Sequence, residues 1–123
     1  MYGTMKIVRL GQGRYVGLPK HIAMRIVEGT NWKGTIDDKD NSVLFRLIDD
    51  EEYARDDTTR IRNRTTYDDQ KWFRIPTAMI RQLDSHWAIG EEVLVKYDYD
   101  KGEIHVQPLA ARVANRQHTI HKA

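Results

Sequence analysis

Residues 71–83 read "KWFRIPTAMIRQL", and residues 13–26 read "GRYVGLPKHIAMRI". In each, a short alternating apolar run ends in an aliphatic residue and a proline, and a helix-forming segment follows. Phe73 and Ile75 stand before Pro76 as Val16 and Leu18 stand before Pro19. Alternation with period two predicts a strand with one face buried. Proline fits the first turn of a helix, where its missing N–H leaves no bond unmade. A stripe of Ile22, Ala23, Ile26 and Val27 is expected on the first helix, and one of Met79, Ile80, Leu83 and Trp87 on the second. The same corner is therefore built twice, 57 residues apart.

Working outward from each corner gives the same plan. "MKIVRL", the turn "GQG" and "RYVGL" precede Pro19; "GTID", the polar turn "DKDN" and "VLFRLI" follow it. "RIRNRT", "YDDQ" and "KWFRI" precede Pro76; "EEVLVKYD", a turn at Gly102 and "EIHVQPL" follow it. Two β-β-α-β-β units are expected, residues 1–48 and 60–109, joined by an acidic linker at 49–59 and trailed by a basic, aperiodic segment at 110–123. Neither unit is large enough to bury a sufficient core alone. Together they form one mainly β fold with short helices, a pseudo-twofold barrel. Trp32 and Trp87 are read as core plugs at the helix-to-hairpin junctions.

Charge follows the repeat. Residues 1–34 hold six Lys or Arg against one acid, and 35–57 hold nine acids against three bases. Residues 58–81 hold six bases against two acids, 82–107 six acids against two bases, and the tail three bases. The near-neutral total of +2 thus hides alternating basic and acidic blocks. Each basic block covers a first hairpin and a helix start. A one-sided basic face is the footprint of nucleic-acid binding. Arg60, Arg62 and Arg64 alternate, so a strand would show all three on one side and turn Asn63 inward or to a partner. The competing reading is that these arginines only keep an edge strand soluble. Tyr15 and Trp72 occupy equivalent positions and are read first as half-buried sheet aromatics, second as stacking surfaces.

Several classes find no support. Cysteine is absent, which excludes disulfides and thiolate chemistry. No apolar run approaches a membrane span, and nothing after Met1 resembles a secretory h-region. "GQGRYVG" is not a dinucleotide-binding loop, and Ser42 and Ser85 have no convincing His–Asp partner. His118 and His121 are two metal-type ligands in the tail, too few for a site. The expectation is a non-enzyme without metal or cofactor, cytoplasmic and away from membranes.

Arg14-Tyr15-Val16-Gly17-Leu18-Pro19, with its helix and hairpin, resembles the SpoVT–AbrB swapped-hairpin domain. "RIPTAMIRQLDSHWAIGEEVLVKYDYDKGEIHVQPL" resembles it more closely. That family includes AbrB-type transition regulators, MazE-type antitoxins and the tandem-repeat MraZ regulators, and the resemblance covers about residues 5–48 and 60–109. It departs in two respects: Arg14 and Lys71 lie five positions before the proline, one further than in the usual Gly-Arg-x-x-Ile-Pro spacing, and the segment from the proline to the glycine that opens the second hairpin is slightly longer than is common. The resemblance implies a single-chain pseudo-dimer that binds double-stranded DNA as a transcription regulator. It carries DNA contacts onto Arg9 and Arg62 or Arg64 on the first strands, Arg14 and Lys71 at the turns, and Arg81 in the helix. Arg25 lies one residue off the helix position, and Arg74, Lys20 and Lys6 follow less directly. The alternative it implies is a protein-interaction module, antitoxin-like or an inhibitor of another protein, using the same barrel. Self-association of the pseudo-dimer into a dimer stays open.

Overall fold

The computed structural model describes residues 1–52, 57–63 and 70–109. The strands are β1 (Tyr2–Leu10), β2 (Gly13–Gly17), β3 (Asn31–Asp37), β4 (Ser42–Ile48), β5 (Thr58–Arg60), β6 (Arg62–Asn63), β7 (Lys71–Arg74), β8 (Glu92–Asp98) and β9 (Glu103–Pro108). The helices α1 (Lys20–Ala23) and α2 (Thr77–Ile80) are single turns, and 3-10 turns lie at Asp50–Glu52 and Ser85–Trp87. Arg64, the "YDDQ" turn up to Asp69, residues 53–56 of the acidic linker and the tail at 110–123 lie outside the described residues. None of the described helices is long and apolar enough to cross a membrane.

All nine strands join one antiparallel sheet in the order β5-β3-β4-β9-β8-β1-β2-β7-β6. Its two ends, β5 and β6, are successive pieces of one segment separated only by Ile61, so the sheet is barrel-like and nearly closed. Ile61 is where that segment changes partner, from β3 to β7. Its N–H donates to the Thr30 carbonyl at 2.9 Å, and its carbonyl accepts from Gly29 N at 2.7 Å. β1 changes partner in the same way at Ile7, pairing with β8 before it and β2 after it. Ile7 N donates to the Glu91 carbonyl at 2.9 Å, and its own carbonyl accepts from Gly90 N at 2.8 Å. Gly29 and Gly90 both hold positive φ, 89° and 92°, which costs a side-chain-bearing residue dearly and a glycine nothing. "RIRNRT" is thus not one strand but two short ones hinged on a buried isoleucine, and the strand starts earlier than expected, at Thr58.

The proline corners form as the sequence implied, with shorter helices. Pro19 is extended (φ −52°, ψ 142°), and its carbonyl accepts from the Ile22 and Ala23 N–H groups at 2.9 and 2.8 Å. Pro76 does the same for Met79 and Ile80 at 3.0 and 3.3 Å. Each proline therefore sits at the N-cap rather than inside the first turn. Because α1 ends at Ala23 and the chain must turn toward Gly29, Ile26 is buried while Val27 is exposed, against the expected stripe. Trp87 is buried from the 3-10 turn rather than from α2.

One apolar cluster fills the barrel, taking Ile7, Val16, Leu18, Ile22, Phe45, Ile61, Phe73, Ile75 and Met79 from both halves of the chain. Phe45 and Phe73 meet edge to face with centroids 5.0 Å apart. Trp32 and Trp87 are both buried core residues, and each indole N–H has a partner: Thr30 Oγ1 at 2.9 Å and the Asn41 carbonyl at 3.1 Å. Full burial of an isoleucine contributes about 1.5–3 kcal/mol. Ile61→Ala should therefore cost about 2–5 kcal/mol in a urea titration, with the cavity adding to the lost transfer energy. A loss below about 1 kcal/mol would show that Ile61 is not the pivot of the segment.

Candidate nucleic-acid interface

Antiparallel partners share a face, and successive residues alternate. In the β1-β2-β7-β6 part of the sheet, Ile7 opposes Val16 and Val16 opposes Phe73, which sets the inward face. Arg9 opposes Arg14 on that same alternation, beyond the core and at the barrel's end. Asn63 opposes Lys71 in the equivalent place on the other side. Asn63 keeps the inward alternation of Ile61 but is exposed rather than covered, since it lies beyond the core at the barrel's end, as Arg9 does.

Two like charges directly opposite each other repel. Arg14 escapes Arg9 by turning to the helix end: its Nη1 donates to the Trp87 carbonyl at 3.2 Å. Lys71 Nζ donates to the Ala23 carbonyl, the last of α1, at 2.7 Å. Short helices leave such terminal carbonyls without intrahelical partners, and these two cations supply them. Arg60, which the strand pattern placed beside Arg62, bonds Asn31 Oδ1 at 2.7 Å, and Asn31 in turn donates to Asp50.

The outward face carries Val8 opposite Tyr15 and Tyr15 opposite Arg74; one row along, Gly17 opposes Trp72 and Trp72 opposes Arg62. The Tyr15 and Trp72 rings pack together with centroids 5.0 Å apart, tilted by 40°. A side chain at Gly13 would start 2.8 Å from Arg74 Nε and 2.9 Å from the Tyr15 ring, so glycine here lets both groups lie across the strand. Arg62 and Arg74 are exposed and make no ion pair among the described residues. Across β1, β2, β6 and β7 there are six cations (Lys6, Arg9, Arg14, Arg62, Lys71 and Arg74) and not one Asp or Glu. The acidic strand residues Asp37, Glu92, Asp98 and Glu103 lie on β3, β8 and β9.

Not all the expected contacts gather there. Arg25 lines a cleft with Tyr2, Lys96, Tyr97, Lys101 and His105, most of it formed by β8, β9 and the turn between them. Arg81 is the exposed C-cap of α2, off the sheet. Register also places Arg62 opposite Trp72 as Val8 stands opposite Tyr15, so Asn63, not an arginine, occupies the position corresponding to Arg9. Sequence reading noted Tyr15 and Trp72 as equivalent but missed that they touch; the signal was available in the pairing of the two alternating strands around Val16 and Phe73. No group of three or more metal-type ligands occurs among the described residues.

Next to the Arg14 anchor, Asp84 accepts from Asn41 Nδ2 at 2.9 Å and from His86 N at 2.9 Å, while the Asn41 carbonyl holds the Trp87 indole. Burial nudges the Asp84 carboxyl up, but the Asn41 bond, the His86 N–H and the His86 ring together hold it below its ordinary value. A lowered folded value gives stability that is present above the unfolded value and lost as pH falls through the folded one. The urea midpoint should therefore drop on acidification below the usual carboxylate range, and Asp84→Asn should flatten that part of the profile. An unchanged acid slope in Asp84→Asn would remove this cluster from the account. Comparisons with protein-family models, with curated proteins and with solved structures found no match for this chain.

The two kinds of cation separate by experiment. Arg14→Met and Lys71→Met keep the aliphatic stems and remove the donors, so each should cost about 1–3 kcal/mol. Arg62→Ala and Arg74→Ala should stay within about 0.5 kcal/mol of the parent chain in the same urea titration.

Proposed function

We propose that this chain is a DNA-binding protein, a transcription regulator of the SpoVT–AbrB type, whose two halves act as a single-chain pseudo-dimer on double-stranded DNA. The observation that carries the reading is the acid-free, six-cation composition of β1, β2, β6 and β7, set against the acids of β3, β8 and β9. Phosphates neutralised by this group of strands, through Arg62 and Arg74 on its outward side and Arg9, Arg14 and Lys71 at the barrel's end, release counterions, and that release drives sequence-independent affinity. Arginines on it are also able to reach guanine edges.

The tandem swapped-hairpin architecture is part of the same proposal. Its support is the exchange of strands between halves: β1 pairs with β8 of the second half, and β5, which begins the second half, pairs with β3 of the first. β2 pairs with β7 and β4 with β9, each half facing its counterpart. A second reading, a protein-interaction module, draws on the exposed Val8 and Leu10 of β1 itself.

Fluorescence anisotropy on a mixed-sequence duplex between about 50 and 200 mM salt tests the reading, since each phosphate contact contributes a slope near −0.9. Arg62→Ala/Arg74→Ala should reduce the slope by about 1–2. Absence of binding at the lower salt overturns the DNA reading in favour of the protein-interaction one.

A further inference from the structure

We infer that the two halves read unlike half-sites, so that this chain prefers a non-palindromic duplex and lies on it in one orientation. This rests on the DNA reading of these strands and specifies the kind of site. The β1-β2-β7-β6 pairing is twofold about the buried Val16–Phe73 pair. Tyr15 opposes Arg74 on one side of that centre, and Trp72 opposes Gly17 on the other. Val8 stands opposite Tyr15 as Arg62 stands opposite Trp72, and Arg9 opposite Arg14 as Asn63 opposite Lys71.

Side chains break this symmetry. The outward cations Arg62 and Arg74 both come from the second half, and their counterparts in the first are Val8 and Gly17. Past the Ile7 pivot, β1 and β2 turn Val8, Leu10, Tyr15 and Gly17 outward, none of them charged. At the barrel's ends the difference is reversed: exposed Arg9 in the first half answers to exposed Asn63 in the second. An arginine pairs with two acceptors of guanine, an asparagine with the N6 and N7 edge of adenine, and an apolar group rests on the thymine methyl. A palindrome offers the same edges twice across its own twofold axis. Arg62 and Val8 cannot both be matched by one repeated base, so guanine under Arg62 and thymine under Val8 fit better than either base twice. Identical subunits have no such choice; a covalent repeat with diverged halves does.

Selection from a duplex library with a randomised centre, followed by anisotropy on the winning sequence, tests this with the parent chain. The winner is expected to be non-palindromic, and bound about 5- to 150-fold more tightly than either palindrome made by doubling one of its halves. Val8 is 40 % exposed, so Val8→Arg should fold and close most of the gap to the palindrome of the guanine-bearing half. Arg62→Val should weaken binding to the winning duplex by about 5- to 150-fold. Cysteine is absent from the chain, so Leu10→Cys, at a position 47 % exposed on the same strand as Val8, carries a single iron chelate that cleaves nearby DNA. Cleavage should fall on one flank of the winning site only. A palindromic winner, no shared sequence among the selected duplexes, a palindrome bound as tightly as the winner, or equal cleavage on both flanks overturns the unlike half-sites while leaving the DNA reading intact. No binding of the library at low salt overturns both. The palindrome comparison uses the parent chain, so it decides the matter even if a variant fails to fold.

Discussion

The backbone exchange at Ile7 and Ile61 is the constraint on which the rest depends. At each, one residue gives its N–H to one strand connection and takes an N–H from the same place, through Glu91 and Gly90 or through Thr30 and Gly29. On one side of the pivot the strand belongs to a hairpin from the other half of the chain; on the far side it belongs to its own neighbour. Without that change of partner the nine strands would form an open sheet with two unpaired edges, each an invitation to foreign strands. Burial of both isoleucine side chains in the common cluster locks the backbone event to the packing. Glycine at residues 29 and 90 then follows, because the donating N–H is presented only at a positive φ.

Much of this was legible in the sequence where a local rule and the packing agree. The Pro19 and Pro76 corners, the Val16–Leu18 and Phe73–Ile75 alternation, the burial of Trp32 and Trp87 and the hairpin turn at Gly102 all follow from short-range chemistry. What was hidden depends on partners far away in the chain. Ile61 interrupts an arginine alternation that reads as continuous, since a change of strand partner leaves no mark on residue type. Val27 looks like part of an apolar stripe, but a one-turn helix cannot carry the stripe that far. Arg14 and Lys71 look like free cations because sequence gives no view of the helix-end carbonyls they meet.

That last point changes how the basic residues are understood. Arg14 and Lys71 are held by Trp87 and Ala23 carbonyls, whereas Arg62 and Arg74, beside the aromatic pair, make no ion pair among the described residues. A positive charge whose donor is partly engaged still adds to the field, but it is less able to follow a moving ligand. The strands thus separate long-range attraction at the barrel's end from close contact on the outer face. Substituting all the basic residues alike would confuse a loss of fold with a loss of contact.

The pairing of Tyr2 with Lys96 has a consequence for how the chain reaches its final form. During synthesis at roughly 5–20 residues per second, the N-terminal strand emerges about 5–20 s before its β8 neighbour. Until then one flank of β1 lacks its ladder, although β2 is close at hand to satisfy the other. High sequence separation of contacts slows folding and lengthens exposure of such strands. The polar residues that alternate along β1, Thr4 and Lys6 among them, keep that waiting strand from being a uniformly apolar one. A topology that brings the two ends of the sheet together in the finished protein thus lengthens the interval in which the nascent chain must tolerate an open edge.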